Sequence, residues 1–194
     1  MQPIITFTLY ALTALVPLTF TTLNSELFEF PKFILLLSGT LILTVSWAIH
    51  LCQTHDYKMK LNFISYSVLA ILFTQILATI FSINPYTSFW GYYSRFHGGL
   101  LTTICYTIIY FSALKWLNKK STQKLIKISV GTAFFISLYA IFEHFGIDKN
   151  LWIQDVQNRV FSTLGQPNWL AAYLIPNIFL TMYISQNTRA RHAS

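Results

Sequence analysis

Long unbroken apolar runs constrain this chain more than any other feature. Stretches near the roughly 20 residues needed to cross a hydrocarbon core lie at 4–20, 33–51, 63–81 and 99–117, with weaker ones at 128–145 and 169–184. The apolar residues are continuous rather than alternating, so helices are expected: in lipid only a helix or a closed barrel satisfies its own backbone. The sixth run is short and carries Pro176, which removes one helical hydrogen bond. A composition of 54% hydrophobic and 10% charged residues agrees, because soluble domains are roughly a quarter charged. The expected fold is all-α, a polytopic transmembrane bundle of about six helices forming a single domain over residues 1–194.

Charge sets the expected orientation. Lysine and arginine favour cytoplasmic loops. With the N-terminus inside, that side receives Lys58, Lys60, Lys115, Lys119, Lys120, Lys124, Lys127, Arg189 and Arg191, leaving Lys32, Arg95, Lys149 and Arg159 outside. Both termini are thus expected in the cytoplasm and the chain in a bacterial inner membrane. The formal charge of +7 is read as attraction to anionic lipid headgroups, with no nucleic-acid partner. The segment after Met1 lacks a basic flank and a cleavage site, so a retained first helix is expected. Cys52 and Cys105 match no metal or redox spacing and are read as packing residues. Neither metal nor cofactor is expected. The sequence holds no repeat, no low-complexity tract and no soluble domain.

Three outer constellations carry candidate chemistry. In Phe81-Ser-Ile-Asn-Pro-Tyr-Thr-Ser-Phe-Trp-Gly-Tyr-Tyr-Ser-Arg-Phe-His-Gly-Gly99, Asn84-Pro85 signals a turn and Gly98-Gly99 permits close backbone approach. Arg95 and His97 then stand at the start of a helix. A guanidinium beside free helix amides suits a phosphate or diphosphate; the structural alternative is an arginine anchored at lipid headgroups and a histidine that caps the helix. In Asn158-Arg-Val-Phe-Ser-Thr-Leu-Gly-Gln-Pro-Asn168, Gly165, Gln166 and Pro167 form a turn and Asn168 is placed to cap a helix beginning at Trp169. Arg159 is read either as a diphosphate ligand or as the partner of Asp155 in a loop salt bridge.

The third constellation is Glu26, Glu29 and Lys32, with Glu143-His144 beside it. Ionisable groups near a membrane are functional candidates, but the bland reading of Glu26 and Glu29 is a pair of solvated loop charges. Gln75 is expected to bond across helices. Trp90, Tyr92, Tyr93, Trp152 and Trp169 fall where an interfacial aromatic belt is expected.

With these residues in view, the chain resembles the N-terminal part of the O-antigen ligase and polymerase family of bacterial inner-membrane glycosyl transferases. The matching pieces are Glu26-Leu-Phe-Glu-Phe-Pro-Lys32, Phe81-Ser-Ile-Asn-Pro-Tyr86 leading to Gly91-Tyr-Tyr-Ser-Arg-Phe-His-Gly-Gly99, and Arg159-Val-Phe-Ser-Thr-Leu-Gly-Gln-Pro-Asn168. The resemblance implies transfer of a glycan from undecaprenyl pyrophosphate to an acceptor on the periplasmic side, as in lipopolysaccharide assembly. It implies Arg159 as the pyrophosphate ligand, Arg95 as a second one, and His97, Gln166 and Asn168 as a supporting loop. The family's acceptor-activating histidine lies on a later periplasmic loop that no segment here matches, so no catalytic residue is assigned. A second polypeptide supplying the remaining helices is the partner implied, with membrane lipids and the lipid-linked donor. The competing expectation is a membrane transporter or a non-catalytic structural membrane protein.

Overall fold

The computed structural model describes residues 1–23, 26–59, 61–150 and 158–192, the stretch 187–192 as backbone only. Lys60, Trp152 and Asp155, and hence the expected Asp155–Arg159 pair, lie outside the described residues, as do the side chains of Arg189 and Arg191. The described chain is all-helical. Its helices are α1 (Gln2–Leu18), α2 (Glu29–Thr54), α3 (Phe63–Ile80), α4 (Pro85–Trp90), α5 (Leu100–Trp116), α6 (Lys119–His144) and α7 (Pro167–His192), with a 3₁₀ turn at Ser162–Leu164.

Each of the six expected apolar runs is a helix, but length and composition qualify only α2, α3 and α6 as membrane crossings. Of the expected six or so crossings, length and composition thus support three. At 1.5 Å per residue, the 17-residue helices α1 and α5 rise about 25 Å against a core of roughly 30 Å. The helix α7 is long, yet its C-terminal half turns polar after Ser185. Pro176 leaves it continuous, and no described long helix is broken at mid-length.

Packing is organised by α1. It contacts α2, α5 and α6; α3 leans on α5, and α7 on α6. Along α2 the buried residues Phe33, Leu36, Gly39, Thr40, Leu43 and Ser46 recur at helical spacing and make one inward stripe. Gly39 lets α1 approach closely, since a Cβ there would meet the Leu12 side chain at 2.5 Å. One core cluster joins Ile5 and Leu9 of α1 to Leu43 and Trp116. A second joins Ile136 and Ala140 of α6 to Leu164 and Leu170. By contrast α3 buries almost none of its surface and exposes Phe63, Ile64, Tyr66, Ile71 and Phe73. That face suits a hydrocarbon solvent, or another apolar surface, better than water.

The two ends of the bundle differ in chemistry. Lys115, Lys119, Lys120, Lys124 and Lys127 gather at the end where α5 stops and α6 starts. There Lys115 Nζ donates to the Asp56 carbonyl at 2.8 Å and lies 3.5 Å from its carboxylate. The backbone N–H of Lys58, and then the Lys115 ammonium, hold the Asp56 carboxyl below its ordinary range. The opposite end collects the C-termini of α1, α3 and α6, the N-termini of α2, α5 and α7, the helix α4 and the 3₁₀ turn. The three stretches that carry the candidate chemistry all lie there.

Candidate functional site

At this end the loop before α5 is bound to the start of α2. Four of its residues, Gly91, Ser94, Phe96 and Gly98, have positive φ, so the segment coils tightly enough for the Tyr92 amide to donate to the His97 carbonyl at 3.0 Å. Glycine is required at 91, because a Cβ there would run into the His97 carbonyl. Phe96 packs between Phe30 and Phe33, with ring centroids 5.9 and 6.0 Å away. That anchor delivers the neighbouring polar residues to α2: Ser94 Oγ donates to Glu26 at 2.8 Å, and the Arg95 guanidinium lies 3.5 Å from Glu26 and 3.4 Å from Glu29.

Two expectations change at this point. Glu26 and Glu29 are not solvated loop charges: Glu29 keeps only 10% of its side chain exposed, and a carboxylate that dehydrated needs a cation beside it. Arg95 supplies it. The same pairing means that this guanidinium faces two carboxylates, which leaves it less positive potential for a phosphate than a free arginine would offer.

The second loop is held by a residue from α6. Glu143, fully buried, accepts hydrogen bonds from the backbone N–H groups of Phe161 and Ser162 at 2.8 and 2.7 Å. Ser162 has φ +53°, and its hydroxyl donates to the Ile136 carbonyl at 2.8 Å. Thr163 Oγ1 donates to the Pro17 carbonyl at 2.8 Å, one of the acceptors that the end of α1 leaves open. From the other side Lys32 Nζ donates to the Thr163 carbonyl at 2.5 Å. Glu143, a functional candidate by its ionisable side chain, is therefore a clamp on the 3₁₀ turn. Its signal in the sequence was faint: one acidic residue at the end of a long apolar run.

The helix after this turn starts earlier than expected. Pro167 occupies its first position, where a missing N–H costs nothing, and the Gln166 carbonyl accepts from Trp169 and Leu170 at 3.1 and 3.0 Å. Gln166 is thus the capping residue, and Asn168 sits exposed within the first turn. Arg159 is exposed and makes no ion pair among the described residues. It shares the bundle end with Arg95.

Between these loops a cavity of about 410 Å³ opens, walled by Val16, Pro17, Phe33, Leu36, Tyr106 and Leu164, with Glu29, Lys32, His97, Thr102, Trp169 and Tyr173 as its polar or amphipathic members. His97 Nδ1 lies 3.9 Å from the Glu29 carboxylate, and its ring centroid 6.4 Å from that of Trp169. Of the residues singled out from sequence, Glu29, Lys32, His97 and Trp169 line this space, and neither Arg95 nor Arg159 is among its walls. Lys32, Thr102, Trp169 and Tyr173 were not foreseen as one group, since they come from three helices. Among the described residues no cluster of His, Cys, Asp and Glu is fit to hold a metal ion. No family model, no curated protein and no solved structure matches the chain.

Proposed function

We propose that this chain is a multi-pass protein of a bacterial inner membrane that holds the donor of a glycan transfer, a sugar chain on undecaprenyl pyrophosphate, as the O-antigen ligases it resembles do. In this reading α1, α5 and α7 cross the bilayer with α2, α3 and α6, the lysine-rich end faces the cytoplasm, and the loop-rich end faces the periplasm.

One juxtaposition carries the reading. The three stretches that bear the resemblance, separated by 48 and 59 residues in the chain, converge on one end of the bundle around one apolar-walled cavity. An amphiphile with a polar head fits such a space, because apolar walls give affinity and a few fixed polar groups give orientation. Arg159, exposed and without an ion pair among the described residues, takes the pyrophosphate, and charge-assisted bonds from a guanidinium to such an anion are among the stronger polar contacts. Arg95 acts mainly by fixing Glu26 and Glu29, and contributes less directly.

The test is binding of undecaprenyl pyrophosphate, with and without glycan, to the protein in nanodiscs. Arg159→Ala is expected to weaken binding about ten-fold, the worth of one charge-assisted contact, and Arg95→Ala less. Unchanged affinity in both variants removes the proposed role.

A further inference from the structure

The helix α6 has two unlike faces. Thr132, Ala133, Ile136, Ala140 and Glu143 are turned into the bundle. At about 100° per residue, the opposite face carries Lys120, Lys124 and Lys127 in its first turns and Phe134, Phe135 and Phe142 further along. The three lysines are exposed, and so are the three phenylalanines, at 63, 60 and 45%. Between the two groups Gly131 borders open space, which leaves a shallow dent on the same face.

Among the described residues none of these lysines makes an ion pair, and Asp56, the acid at that end, is taken by Lys115. Their placement is unfavourable in isolation. Like charges four residues apart on a helix repel, and Lys120 stands in the first turn, where the macrodipole favours negative charge. An anion lying against the stripe offsets both effects. The rest of the face says what that anion is attached to. The apolar run of α6 starts at Ile128, next to Lys127, so in a bilayer that α6 crosses the lysines stand at headgroup depth and the phenylalanines beside hydrocarbon. A molecule that meets both carries a phosphate at one end and an acyl chain at the other. An acidic protein would match the lysines alone.

We infer that the outward face of α6 is a site for one anionic phospholipid of the lysine-side leaflet, its headgroup on Lys120, Lys124 and Lys127 and a chain over Gly131 along the phenylalanines. Such a site is more than the general pull of a basic end on acidic lipids, because it depends on which lysines are present and not only on how many. It rests on the reading of α6 as a membrane crossing and is independent of the glycan donor, which is assigned to the opposite end.

The full chain in detergent is titrated with dioleoyl phosphatidylglycerol or dioleoyl phosphatidylcholine, and bound lipids are counted by native mass spectrometry. The first phosphatidylglycerol is expected to bind at least about ten-fold more tightly than phosphatidylcholine, and Lys120→Gln with Lys127→Gln to weaken it about twenty-five-fold, each lysine at an anionic lipid surface being worth roughly five-fold. Lys124 is left in place because its ammonium also stands over the Tyr10 ring, 5.1 Å from the centroid. Lys58→Gln with Lys119→Gln removes the same charge from exposed positions off the stripe and is expected to change affinity by about two-fold or less, screened as distant surface charges are. Equal losses in the two pairs, or a wild-type protein that binds both lipids alike, overturn the inference. So does displacement of the lipid by an equal concentration of glycerol 1-phosphate, which would mark a site for free phosphate. Arg159→Ala, the variant that tests the donor site, is expected to leave phosphatidylglycerol binding unchanged; weaker binding there would put the lipid at the wrong end of the bundle and overturn the inference as well.

Discussion

Glu143 shows how much one side chain can do at the end of a helix. Its carboxylate holds two consecutive backbone amides at the start of a turn whose first residue, Ser162, has positive φ. Glu143→Ala strands both donors in a buried place, at about 1–3 kcal/mol each, and is expected to lower the thermal unfolding midpoint markedly in detergent. Glu143→Gln, which keeps one acceptor, is expected to cost less, and amide exchange at Phe161 and Ser162 should rise in both. Arg95→Ala leaves Glu29 buried beside an empty space, so a loss of about 1–2 kcal/mol is expected from the unpaired carboxylate; the double change Arg95→Ala with Glu29→Gln should recover part of it in the same melting assay. Residue roles were the least legible part of the sequence. Arg95, His97 and Glu29 could be singled out by type, but which atoms pair depends on Phe96 docking onto α2, and an aromatic residue in an aromatic-rich loop does not announce its neighbour.

At the scale of elements, existence was legible and boundaries were not. All six apolar runs are helices because continuous apolar sequence at this length has few other ways to satisfy its backbone. The short helix α4 was read as a turn, since Asn84-Pro85 signals both a turn and a helix start; the structure resolves it, with Asn84 Oδ1 accepting from the Thr87 amide at 3.3 Å. A stronger start is seen at α3, where Asn62 and Ser65 cap each other's amides and Tyr110 reaches across to both. Asn62→Ala is expected to destabilise α3 by about 1 kcal/mol, checked by proteolytic cleavage between α2 and α3. In the 3₁₀ turn's exit, Gly165 has φ +82° and a Cβ would stand 2.5 Å from Phe28. Gly165→Ala is therefore expected to cost at least about 1 kcal/mol, seen as a lower unfolding midpoint, and to loosen the cavity wall that Leu164 forms.

For the molecule as a whole, the gathering of lysines at one end and of glycine- and proline-rich loops at the other was legible from charge bias and composition, whereas the order of packing around α1 was not, because apolar faces of similar residues do not specify partners. The proposed topology has a direct check in the native thiols. Cys52 is exposed near the lysine-rich end and Cys105 is buried, so a membrane-impermeant maleimide is expected to label one site per chain, from the cytoplasmic face only; labelling from the periplasmic face would invert the orientation. The contact pattern of α3 carries one more consequence. This helix touches α4 and α5 but neither of the two helices made before it. In the proposed membrane topology, α2 can pair with α1 as soon as it leaves the translocon, while α3 must wait alone in lipid until the chain has grown by dozens of residues. Its uncharged, largely apolar surface is what lets it wait, and a charge placed there would be felt during biogenesis before it was felt in the finished protein.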